Sequence, residues 1–171
     1  MSSATTIQYL GPLVDAVTGA ALPLDVSNKR QTEVFITGEQ VFVGDVVCLD
    51  LITAGLNDGQ IAQQVRRAQS TTTTRRAVVG VVLRSVDTAA GAFTPSTGAC
   101  AAGTKIEVVI RGVCQASCLA LTVGDVLTYD PAGALGALDT VTALTQQQVA
   151  VALETVAAPG FGTVFVLGNM S

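Results

Sequence analysis

Side chains able to do chemistry are few in this sequence of 171 residues, and histidine is absent altogether. Without it there is no Ser-His-Asp or Cys-His nucleophile set, no imidazole general base and no imidazole metal ligand. The acids offer one repeated feature, since Asp45 and Asp125 each follow a Val-Gly pair. An aspartate beside a glycine turn can serve as acid, base or metal ligand. It can also bond the amides of its own turn before a strand begins, and the valines that follow favour this structural role. Cys48, Cys100, Cys114 and Cys118 raise the idea of a four-sulfur zinc site. Only one C-x3-C spacing occurs, without paired short knuckles, so the thiols read as small buried apolar groups. A bridge from Cys114 to Cys118 or to Cys100 stays open.

The remaining cluster is basic. Seven of the nine cationic residues are arginine, and Arg66, Arg67, Arg75 and Arg76 flank the polar run AQSTTTT. No aromatic residue is interleaved for base stacking, and 9 basic against 13 acidic residues give a net charge of −4. Both facts work against phosphate binding, so no nucleic-acid partner is expected. The arginines read instead as a solvated loop or as contacts to an acidic protein surface. Gly160-Phe161-Gly162 and Pro131-Ala132-Gly133 read as turns, because neither is expected to lead from a strand into a helix as a phosphate-binding loop does. The expectation is a non-enzyme with no catalytic residue, no cofactor, no metal and no small-molecule substrate.

The elements that carry these residues are strands. Hydrophobic residues make up 49% of the chain and charged residues only 13%, against roughly 25% charged in a typical soluble domain, which excludes a disordered chain. The longest apolar run, Ala77 to Leu83, is broken by Gly80 and falls far short of the ~18 residues that span a bilayer. The opening MSSATTIQYLGP has no basic region before an apolar one, so no secretory signal is expected and synthesis in a cytoplasm is. Residues 1–24 show no sustained period and read as an arm, with Ile7, Tyr9 and Leu10 among its apolar residues; 25–171 read as a single β domain. From Val34 onward come short Val-, Ile- and Thr-rich segments punctuated by Gly, Asp and Pro, several as near-continuous apolar runs of the kind covered on both faces. A helix is conceivable over Asp58 to Gln69. The longer polar or small-residue insertions, 57–76 and 83–103, read as loops.

The chain also repeats itself. VGDVVCLD, starting at Val43, aligns with VGDVLTYD, starting at Val123, 80 residues later, with five of eight positions identical. Behind the first copy come AVVGVVL and KIEVVIRG, and behind the second VAVALETV and GTVFVLG. The fold class is therefore mainly β, a compact β-barrel or β-tulip-like domain of two similar β-units with an extended N-terminal arm. A lightly charged chain of this kind is expected to bury surface against neighbours as an oligomer.

The succession GDVVCLD, AVVGVVL, TKIEVVIRGV, LTVGDVLTYDPAGALGAL and VAVALETVAAPGFGTVFVL, over Val34 to Leu167, resembles the capsid decoration (cement, or head-stabilising) proteins of tailed bacteriophages. The resemblance implies a homotrimer on the outer surface of the mature virion head, bridging neighbouring copies of the major capsid protein, with no chemistry and no membrane partner. On that reading the capsid contacts fall on Ile7, Tyr9 and Leu10 of the arm and on Arg66, Arg67, Arg75 and Arg76. Two other readings share the size and composition: another virion part, such as a tail-tube or head-to-tail joining subunit, and a trimeric β-rich nucleotide hydrolase.

Overall fold

A computed structural model describes residues 30–51, 53–69, 77–86, 99–129, 136–142 and 146–168. The chain is mainly β. Its strands are β1 (Gln31–Thr37), β2 (Val41–Phe42), β3 (Val46–Leu49), β4 (Gln64–Arg67), β5 (Val78–Ser85), β6 (Ala99–Cys100), β7 (Lys105–Cys118), β8 (Val126–Tyr129), β9 (Leu138–Thr140), β10 (Ala150–Ala152) and β11 (Gly160–Val166). One four-residue helix, α1 (Asp58–Ile61), precedes β4. Nine strands pair in the order β1-β4-β3-β5-β7-β11-β10-β8-β9, and β7 also pairs with β1 and β9. Strands β2 and β6 form a separate pair.

This order contains the same five-strand unit twice. In the first unit β3 lies between β4 and β5, β5 is antiparallel to the start of β7, and β1 is antiparallel to β7 and parallel to β4. In the second, β8 lies between β9 and β10, β10 is antiparallel to β11, and the end of β7 is antiparallel to β11 and parallel to β9. The 14-residue β7 is thus the last strand of one unit and the first of the next. The nine strands do not close into one barrel, and the parallel links that would complete each unit's ring are short: two residue pairs join β1 to β4, one joins β7 to β9.

The repeated Val-Gly-Asp corner is built identically in both units. Phe42 N donates to Asp45 Oδ2 at 2.8 Å, and Thr122 N donates to Asp125 Oδ2 at 2.7 Å. Gly44 and Gly124 have φ of 90° and 91°, the left-handed region in which a side chain is strained. Gly44 N donates to Val82 O and Val82 N to Asp45 O; Gly124 N donates to Ala152 O and Ala152 N to Asp125 O. Both aspartates therefore hold the turn ahead of a strand.

Two apolar clusters fill the molecule. Phe35, Val47, Val65, Val82, Ile106 and Val108 pack inside the first unit. The second cluster joins the interior of the second unit, including Leu127, Leu138 and Val164, to residues of the first unit's outer wall, Val46, Val78, Val81 and Val109. The run VVGVV in β5 is consequently buried on both faces, which is why it lacks polar alternation. Gly80 sits in that run where β5 and β7 approach, and a Cβ there would overlap the Val109 carbonyl.

All four cysteines are buried, and burial pushes the Cys114 thiol up to about 12. A Cys114–Cys118 bridge is excluded by geometry. Four residues apart along β7 means about 13 Å, whereas a disulfide needs Cα atoms about 4.4–6.8 Å apart. The helix expected over Asp58 to Gln69 is only α1, because backbone pairing with β3 and β1 claims Gln64–Arg67 as a strand. The two long loops are shorter than expected for the same reason, since β5 runs on to Ser85 and Ala99–Cys100 pairs with β2.

Replacing Gly80 with Ala is expected to lower stability by about 2–3 kcal/mol through overpacking, measured by chemical denaturation. Gly59→Ala in exposed α1, where only Asn57 lies near the new methyl, should change it by less than about 0.5 kcal/mol.

Candidate interaction site at the arginine strand

Strand β4 alternates. Val65 enters the first unit's core, while Gln64 and Arg66 join a cluster of charged and polar groups around the end of β3. Arg66 Nε lies 2.8 Å from Asp50 Oδ2, its Nη1 donates to Glu39 Oε2 at 3.1 Å, and its Nη2 donates to Thr53 Oγ1 at 2.9 Å. Asp50, fully buried, also accepts from Gln64 Nε2 at 2.9 Å, Thr53 Oγ1 at 2.8 Å and Thr53 N at 3.1 Å. Arg67 N donates to Glu39 Oε1 at 3.1 Å, and the guanidinium stands 5.9 Å from the centre of the Phe42 ring. Burial pulls the Arg66 pKa down, but its bonds to Asp50 and Glu39 outweigh this and raise it.

The cluster neutralises charge before it can offer any. Arg66 and Arg67 side chains are 19% and 25% exposed; Arg66 faces Asp50 and Glu39, and Arg67 Nε lies 3.7 Å from Glu39 Oε1. A buried carboxylate such as Asp50 is costly unless so partnered, which makes the arginines structural first. Of the residues expected to make capsid contacts, the structure brings together Arg66 and Arg67. Ile7, Tyr9, Leu10, Arg75 and Arg76 lie outside the described residues. Glu39, Asp50, Thr53 and Gln64 were not foreseen as partners; Asp50 ends the repeated octapeptide, which is the one sign of it in the sequence. In the second unit the register puts Asp139 and Thr140 where Arg66 and Arg67 stand, so this ion cluster belongs to the first unit alone.

Nearby, Asp45 is 6% exposed beneath the second unit, whose Gly136 O accepts from Val46 N at 2.7 Å. Burial pushes its carboxyl up to about 7, against the opposing pull of the Phe42 N–H and the Arg67 guanidinium, with Glu39 adding to the rise. On the outer face of β5, β7 and β1, Glu107 accepts from Arg84 Nε at 2.5 Å and Thr32 Oγ1 at 2.7 Å. Among the described residues no group of three Cys, Asp or Glu could hold a metal ion. A crevice beside Gly80, lined by Val78, Ile110, Gln147 and Val149, has room for about one water and none for a substrate.

The folded state keeps a proton on Asp45 that the unfolded chain, with its ordinary value of 3.8, releases. The stability this contributes is full below pH about 4 and is lost as pH rises through about 7. Asp45→Asn, which cannot ionise, should therefore gain on the wild type by on the order of 2–4 kcal/mol between pH 4 and pH 8 in paired denaturation curves. Parallel pH profiles for the two proteins would show that Asp45 is ionised in the fold.

No protein-family model and no curated protein matches the sequence. Among solved structures, the chain is similar to the N base of head fiber gp8.5 of bacteriophage phi29, with a TM-score of 0.52, 13% identity, and coverage of 80% of this chain and 93% of that one. At this identity the likeness is one of fold, and it extends over most of both chains.

Proposed function

We propose that this protein is a structural component of a phage virion that binds the outside of the mature head as a homotrimer and bridges major capsid proteins. The observation that carries the reading is the fold shared with a phage head-fiber base over 93% of that chain, added to the sequence resemblance to capsid decoration proteins. The physics suits the role. A protein that binds the assembled shell and not the separate capsomers stabilises the shell by mass action, and many copies multiply a weak contact. Its own demand is rigidity, which the continuous core spanning both units supplies. No catalytic step is assigned to it.

The contacts to the shell are placed on Ile7, Tyr9 and Leu10 and on the arginine segment, where the partly exposed Arg66 and Arg67 precede Arg75 and Arg76. Deleting the first ten residues should abolish cosedimentation with capsids while leaving the circular dichroism spectrum and melting temperature unchanged. Arg75→Ser with Arg76→Ser should weaken binding in a salt-dependent way. Undiminished binding by the truncated chain would remove the arm from the interface.

A further inference from the structure

The two copies of the Val-Gly-Asp corner share a geometry but not an environment. In the first unit the corner is covered by the second: Ser117 N donates to Gly44 O at 2.8 Å, and the Phe161 ring lies so close that a Cβ on Gly44 would meet its Cε1 at 2.5 Å. Val43 is accordingly 7% exposed, Val46 is fully buried, and Leu83 packs against the shared core. In the second unit, Gly124 has nothing within 4 Å of its Cβ position. The counterparts of Val43 and Leu83 are Val123 and Leu153, which are 59% and 44% exposed. The second unit has kept an apolar docking corner and has no described residue seated on it.

The register identifies what fits there. Ser117 and Phe161, which cover the first corner, are a cross-strand pair of β7 and β11. The equivalent pair in the first unit is Ile36 and Lys105, across β1 and β7. Where the covering surface changes from Phe161 to Lys105, the residue after the corner's leucine changes from Arg84 to Glu154, whose Oε1 accepts from Thr163 N at 2.6 Å and leaves its other oxygen for a cation.

We infer that the exposed corner at Val123, Gly124, Asp125 and Leu153 takes the Ile36–Lys105 face of a second copy of this chain, in a head-to-tail contact that repeats between chains the packing seen between units. Such a contact is heterologous, so copies joined by it form a ring where the rotation between neighbours closes and an open filament where it does not. The inference does not rest on the virion reading, and the oligomer can be tested without any capsid.

The experiment is light scattering and sedimentation of the full-length protein and its variants. The wild type should self-associate, as a ring or as an open filament. Val123→Ser with Leu153→Ser should give folded monomers, with the circular dichroism spectrum retained because both side chains are exposed. Lys105→Glu should weaken association by roughly tenfold, and adding Glu154→Lys should restore it. A wild type that is monomeric at high concentration, or an oligomer untouched by the Val123 and Leu153 substitutions, would overturn the inference. Failure of the charge swap to restore assembly would overturn the head-to-tail seating. A monomer that binds capsids until Val123 and Leu153 are replaced would reassign the corner to the shell.

Discussion

Strand β7 has to satisfy two units with one backbone, and most of the molecule is arranged around that demand. Up to Arg111 it pairs with β1 on one side and β5 on the other; from Gly112 onward it pairs along β11. Its even-numbered residues point into the units, as period-two geometry requires, while Val109, on the opposite face, is also buried because the second unit's core reaches round to the first unit's wall. Two-sided burial leaves no place for charge in the stretch VVI, and it brings β5 so close that position 80 can hold only hydrogen. The units are joined through covalent chain and through shared apolar area: the first unit fills its own interior, while the second unit's core takes in residues of the first unit's wall.

The same sharing explains why equal sequences behave unequally. Asp45 and Asp125 make the same turn bond, yet the second unit buries Asp45 and raises its pKa, while Asp125 remains partly open. The arginine strand differs likewise. Arg66 and Arg67 answer Asp50 and Glu39 in the first unit, and the matching strand of the second carries Asp139 and Thr140. The repeated unit supplies the frame, and the position of each copy in the pair decides which of its polar groups are buried and must be partnered.

Much of this was legible in the residues. The 80-residue spacing of the Val-Gly-Asp octapeptides announced two similar β-units, and the near-continuous apolar run of β5 announced burial on both faces. The turn role of both aspartates and the burial of the cysteines followed from their neighbours. What the sequence concealed was non-local. Nothing in KIEVVIRGVCQASC marks the middle of one strand as the border between two units. The strand character of Gln64–Arg67 was hidden because its polar side chains are held by Asp50 and Glu39, partners 14 or more positions away. The parallel links β1–β4 and β7–β9, only two residue pairs and one long, likewise have no local signature.

For the proposed role in a virion, the decisive quantity is how many copies a particle carries. Gel densitometry of purified particles from the source of this chain, referenced to the major capsid protein, measures it directly. The account predicts a ratio near one or a simple fraction of one, as for a protein spread over the whole shell. A handful of copies would place it at a unique vertex or in the tail, and its absence from particles would contradict the virion reading altogether.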